Sequence, residues 1–125
     1  VHDCGTVINP MLLEGQVMGG ISMGVGNSFY EQLIYDDDGQ LVTASFMDYL
    51  MPQASDMPDK VELGHMETKS PLNPLGIKGV GEAGAIPPPA AFAQAVENAL
   101  YDYQFEIGET PLSPSKLFEI IHGAK

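Results

Sequence analysis

The densest chemistry in the sequence lies in one stretch, Gly76-Ile77-Lys78-Gly79-Val80-Gly81-Glu82-Ala83-Gly84, which sets one cation and one carboxylate among glycines. Gly79, Gly81 and Gly84 satisfy the GxGxxG spacing of a dinucleotide-binding turn, with Asp102 as a later carboxylate. That reading needs a helix to start within the glycines, so that its N-terminus faces a pyrophosphate. Here Pro87, Pro88 and Pro89 hold any helix back until after the motif, and Glu82 would set a carboxylate against the phosphates. A Walker A loop is excluded as well, since neither Ser nor Thr follows Lys78. Two readings stay open. In one, backbone N–H groups cradle an anionic group, Lys78 adds a point charge, and Glu82 projects into the cradle as a general base. In the other, the segment is a turn and Glu82 caps the helix that follows.

The remaining candidates carry less. His2, His65 and His122 share no ligand spacing, which argues against a zinc site. Cys4 lies between Asp3 and Gly5 with no base beside it, and reads as a buried, inert thiol. As the one cysteine, it excludes an internal disulfide and a CxxC site. The run Asp36-Asp37-Asp38-Gly39 resembles the start of a calcium loop, but a frame from Asp36 places Leu41 where glycine is required. A solvated turn is the better reading. Gln16 offers an amide that can donate and accept toward a heterocycle, or be satisfied within a core. Met11, Met18 and Met23 read as packing.

These residues must be held by an α+β arrangement. Residues 1–8 read as a short strand. Asn9 caps and Pro10 opens a helix that runs to about Glu31. Its apolar residues point in nearly every direction, so the helix is expected to be buried on all sides. Gly15, Gly19, Gly20, Gly24 and Gly26 each cost about 1 kcal/mol relative to alanine, and are expected to open smooth grooves for another backbone or a ligand. Two runs of β-formers flanking Asp38-Gly39 predict an antiparallel hairpin. Residues 61–68 read as a strand and 70–89 as a long Pro- and Gly-rich loop. Helices are predicted from Pro89 to Tyr103, and from Ser113-Pro114 to His122, stopped by Gly123. The expected fold is thus a long, glycine-rich, buried helix, a small antiparallel sheet with a hairpin, and helices toward the C-terminus.

Composition sets the outer limits. The 125 residues carry 17 Asp and Glu against 5 lysines, no arginine, and a formal net charge of −12. Length allows one domain. An apolar fraction of 44% excludes a disordered acidic tail. Scattered lysines give phosphate no basic patch, which excludes nucleic acid and disfavours anionic membranes. No apolar run reaches the ~18 residues of a membrane span, so no membrane insertion is expected. The opening VHDCGTVINP has neither a basic nor an apolar targeting region, and reads as the middle of a longer polypeptide in the cytoplasm. Gly at 14 and Pro at 10 positions point to ordered, irregular backbone passing close to something.

Three segments in order, DCGTVINPMLLEGQVMGG, ASFMDYLMP and GIKGVGEAG, resemble the C-terminal end of the large, molybdenum-binding subunit of the xanthine dehydrogenase/aldehyde oxidase family. The wording is nearest to bacterial members that include aerobic carbon monoxide dehydrogenase large subunits. The resemblance implies that residues 1–125 are the C-terminal portion of the molybdenum cofactor-binding domain, a single and incomplete domain. It implies a molybdenum–pterin cofactor in the form of molybdopterin cytosine dinucleotide, with no metal ligand from this segment. FAD and [2Fe-2S] clusters would lie on partner subunits or domains, and the remainder of the molybdenum subunit would be the nearest partner. Residue by residue, it makes Glu82 the base at the molybdenum centre and Gln16 a pterin contact. The backbone of Lys78, Gly79, Val80 and Gly81 would line the cofactor, and Cys4, Thr6 and Asn9 would follow its dinucleotide part. The implied reaction hydroxylates a small substrate with oxygen from water. Carbon monoxide, aldehydes, purines and other N-heterocycles all remain open as substrates. Two other readings stand beside it: a non-catalytic assembly fragment of the same fold, and a small acidic structural domain without a ligand.

Overall fold

A computed structural model describes residues 1–123. The elements in chain order are β1 (His2–Asp3), α1 (Pro10–Phe29), β2 (His65–Met66), α2 (Pro88–Ala99) and α3 (Pro114–Gly123), with 3-10 turns at Ala54–Asp56 and Tyr101–Tyr103.

Helix α1 starts where the sequence places its cap. The Asn9 side chain accepts from the Leu12 N–H at 3.1 Å, and Pro10 takes a first-turn position whose N–H would be unpaired anyway. The helix ends at Phe29, with the Tyr30 N–H donating to the Gly26 carbonyl at 2.9 Å. α1 packs against α2 along its glycines. A Cβ on Gly20 would lie 2.7 Å from the Gly84 Cα, and one on Gly24 would lie 2.5 Å from the Pro88 ring. Phe29 and Phe92 close the seam with ring centroids 5.1 Å apart. The Ser28 hydroxyl donates back to the Gly24 carbonyl, and the Ser28 carbonyl accepts from the Leu112 N–H at 2.6 Å. That bond ties the segment before α3 to the end of α1, and Leu112 is buried there. Cys4, Leu13, Val25 and Leu112 make up the small apolar core.

Four expectations need correction. The sheet is parallel, not antiparallel: β1 pairs with β2 in the register His2↔His65 and Asp3↔Met66. Parallel pairing needs a long crossover, and α1 with the loop after it supplies one. The strands read over 1–8 and 61–68 shrink to two residues each, because their flanks bond to loops instead of to each other. The hairpin reduces to a single antiparallel bridge, Tyr35↔Leu41. There the Asp36 carboxylate accepts from the Asp38 and Gln40 N–H groups, so the acidic run closes its own turn. The predicted 89–103 helix ends earlier, at Ala99, and continues only as the 3-10 turn, with Gln104 left-handed at φ 49°.

Helix α1 is also not buried on all sides within this chain. Met11, Leu12 and Met23 are 74%, 62% and 57% exposed. The described residues cover the side that carries Gly20 and Gly24 and leave much of the rest uncovered. Among the described residues, no helix is long and apolar enough to cross a membrane.

Candidate functional site

The chain leaves β1 through Cys4 and Gly5 and meets the glycine-rich loop at once. The Thr6 N–H donates to the Gly76 carbonyl at 3.0 Å, and the Lys78 N–H to the Cys4 carbonyl at 3.2 Å. Gly5 has φ +63°, and a Cβ there would run into the Gly76 carbonyl, so this crossing requires glycine. Beside it, the Lys78 ammonium donates to Asp3 Oδ2 and to Thr68 Oγ1, each at 2.7 Å. Asp3 Oδ1 accepts from the Gly5 and Thr68 N–H groups at 3.1 Å, and the Thr68 hydroxyl donates to Asp3 Oδ2. The Lys78 hydrogen bond, followed by those from Thr68 and Gly5, holds the Asp3 carboxyl well below the usual carboxylate range. The cation expected to face an external anion is therefore neutralised inside the chain.

Beyond Lys78 the loop is held at two further points. Gln16, from α1, donates its Nε2 to the Gly81 carbonyl at 3.2 Å. Gly84 packs on α1, where a Cβ would strike the Val17 carbonyl and the Gly20 backbone. Between Lys78 and Ala83, the N–H groups of Gly79, Val80, Gly81 and Glu82 find no acceptor among the described residues. Glu82 is exposed, and its carboxylate makes no hydrogen bond or ion pair among them. The N-cap of α2 is Pro87, with no side-chain cap bond, so Glu82 does not cap that helix. Residues 81–85 are turn and α2 begins only at Pro88, so the glycines do not open a helix as a dinucleotide turn requires.

A groove of about 280 Å³ runs alongside. It brings together six of the residues picked from the sequence, Cys4, Thr6, Asn9, Gln16, Lys78 and Val80, between apolar walls from Val7, Ile8, Leu12, Leu13 and Ile77. Gly79, Gly81 and Glu82 do not line the groove and follow on the same loop. The Cys4 thiol is buried, 3.5 Å from the Met66 carbonyl. The Asn9 oxygen is spent on the helix cap. The Thr6 hydroxyl is buried with no partner among the described residues. Asp3 and Thr68 escape the sequence reading, although the rarity of cations in a chain of net charge −12 already makes a carboxylate partner for Lys78 expected.

This arrangement fits a large organic anion. An orphaned buried hydroxyl needs a hydrogen-bond partner. Four successive N–H groups without an acceptor among the described residues offer donors to anionic oxygens, and none of those residues comes within 4 Å of where a Cβ would stand on Gly79 or Gly81.

Comparison with known proteins gives the same direction. Residues 1–58 match the molybdopterin cofactor-binding domain. The chain is 42% identical over 123 residues to the nicotine 6-hydroxylase large subunit of Paenarthrobacter nicotinovorans, covering 98% of this chain and 15% of the relative. It is 38% identical over 123 residues to the xanthine dehydrogenase molybdenum-binding subunit of Escherichia coli O157:H7, covering 98% and 16%. The crystal structure of quinoline 2-oxidoreductase from Pseudomonas putida 86 superposes with a TM-score of 0.89 at 50% identity, over 95% of this chain and 15% of that one. The chain thus spans under one-fifth of the length of these proteins. Fold, motif order and identity along nearly the whole chain agree, and the chain belongs to the xanthine dehydrogenase/aldehyde oxidase family, as a segment of its large, molybdenum-binding subunit.

Proposed function

We propose that these residues form one wall of the molybdenum–pterin site of a hydroxylase, with Glu82 as its base. The support is the row of four unpaired N–H groups ending at an unpaired carboxylate, Gly79 to Glu82, on a loop otherwise tied down. In this reading residues 1–125 are the C-terminal portion of the cofactor-binding domain. The group bound there is molybdopterin cytosine dinucleotide, and it supplies the two-electron redox capacity. FAD and [2Fe-2S] clusters on partner subunits of a cytoplasmic complex carry the electrons onward. The substrate is a small carbonyl, N-heterocyclic or carbon monoxide-type molecule.

The chain's own residues divide the work. The N–H groups of Gly79, Val80 and Gly81 donate to the anionic group without cost in reorganisation, because the loop is fixed before the ligand arrives. Gln16 spends an N–H on the Gly81 carbonyl, which leaves its oxygen to accept from a heterocycle. Thr6 and Asn9 Nδ2 offer polar atoms along the groove, with Cys4 beneath them. The Glu82 carboxylate takes the proton released as a water-derived oxygen becomes the nucleophile. Glu82→Gln keeps the shape and removes the base. In the intact enzyme it should lower kcat by about 10²–10⁴-fold, the usual span for a general base, with molybdenum content unchanged. Turnover equal to wild type would end the assignment, and an intact wild-type complex without molybdenum would favour the assembly-fragment reading.

A further inference from the structure

We infer that Lys78 is a positioning residue, clasped by Asp3 and Thr68 to set where the Glu82 carboxylate sits, and is not the cation that holds the anionic group. The inference rests on the proposed role of Glu82. Between Lys78 and Glu82 the loop contains Gly79 and Gly81, so its own stereochemistry fixes little. The path must be set at its anchors. On one side these are the Gly84 backbone against α1 and the Gln16 bond to the Gly81 carbonyl. On the other are the Lys78 clasp and the bond from the Lys78 N–H to the Cys4 carbonyl.

That clasp is largely occupied. Two of the three ammonium donors are used at 2.7 Å, on Asp3 and Thr68. Both Asp3 oxygens are filled, by Lys78, the Thr68 hydroxyl, and the N–H groups of Thr68 and Gly5. The cluster joins β1, the segment after β2 and the start of the loop, and Asp3 and Lys78 are 75 residues apart in the chain. An ammonium already paired with a carboxylate offers an external anion little net charge. The same pair, held from three segments, keeps the loop from shifting. A displacement near 1 Å from a group away from the chemistry costs on the order of 10²-fold in rate.

The test uses the intact, cofactor-loaded enzyme with Lys78→Met, Asp3→Asn, the double variant, Thr68→Val and Thr68→Ser. Lys78→Met should lower kcat by about 10–100-fold with KM within about twofold, and with molybdenum and nucleotide content unchanged. Thr68→Val should lower kcat several-fold and Thr68→Ser should restore it, which keeps the test open if Lys78→Met fails to fold. The double variant should lose less than the product of the two single losses, since both break one cluster. Loss of molybdenum or nucleotide from Lys78→Met, while Asp3→Asn retains them, would make Lys78 the anion's partner and overturn the inference. So would multiplicative losses in the double variant, or wild-type kcat in both Lys78→Met and Thr68→Val. A Glu82→Gln enzyme with full turnover would instead sink the functional reading, whatever the clasp variants show.

Discussion

Two sets of glycines on α1 and the 76–84 loop have opposite surroundings. Gly20, Gly24 and Gly84 are locked together within the chain: Gly20 lies against the Gly84 backbone, and Gly24 against Pro88. Gly15, Gly19, Gly79 and Gly81 have nothing among the described residues within 4 Å of where a side chain would begin. In sequence the sets are interleaved and look alike, a run of Gly four apart on a helix and a run two or three apart in a loop. The difference shows that one kind of residue serves two ends. The closed set joins loop to helix at a separation no side chain permits. The open set leaves the surface in front of it bare, and Gly79 and Gly81 do so on the stretch that carries the four N–H groups without an acceptor among the described residues.

The closed joint predicts the largest effect on stability. Gly84→Val pushes two extra carbons and a Cβ into the Val17 carbonyl and Gly20, both backbone and unable to move aside. It should destabilise the intact subunit by about 3 kcal/mol in denaturant unfolding. An unchanged midpoint would break the distinction between the two sets. Gly81→Ala, in the open set, should leave the unfolding free energy within about 0.5 kcal/mol of wild type and yet lower the molybdenum content several-fold. Full molybdenum loading in Gly81→Ala would mean that the open loop faces nothing that needs the space.

A smaller effect sharpens the account of how the open loop is anchored. Asp3 has its carboxyl held below the usual range, so its contribution to stability is complete above the ordinary Asp pKa, near 4. It is lost as pH falls through the lowered folded-state value. Melting temperatures of wild type and Asp3→Asn should therefore differ at neutral pH and converge as the solution is made strongly acidic. A gap that stays constant with pH would remove the Asp3–Lys78 pair from the account.

Local features were legible, and distant pairings were not. Asn9-Pro10 announces the start of α1, Ser113-Pro114 opens α3, and Asp38-Gly39 marks its turn, because each acts on its own neighbours in the chain. The parallel pairing of His2–Asp3 with His65–Met66 has no local signature: two-residue strands show no alternation. The Gln16 bond to Gly81 spans 65 residues, and the Lys78 bond to Asp3 spans 75. The sequence could pick out Gln16, Lys78 and Glu82 as chemically capable, but only the fold shows that the first two bond across the loop and that Glu82 has no partner among the described residues. The all-round apolar pattern of α1 predicts burial on every side, and the described residues bury only part of the helix, because what a helix packs against is not written in its own periodicity.

The central claim is that the bare loop from Gly79 to Glu82 faces a molybdenum centre. Diffraction data collected from crystals of the intact enzyme on either side of the molybdenum absorption edge test it most directly. An anomalous difference peak is predicted within side-chain reach of the Glu82 carboxylate. A fully occupied molybdenum peak elsewhere, with Glu82 and the N–H groups of that loop open to solvent, would contradict the claim.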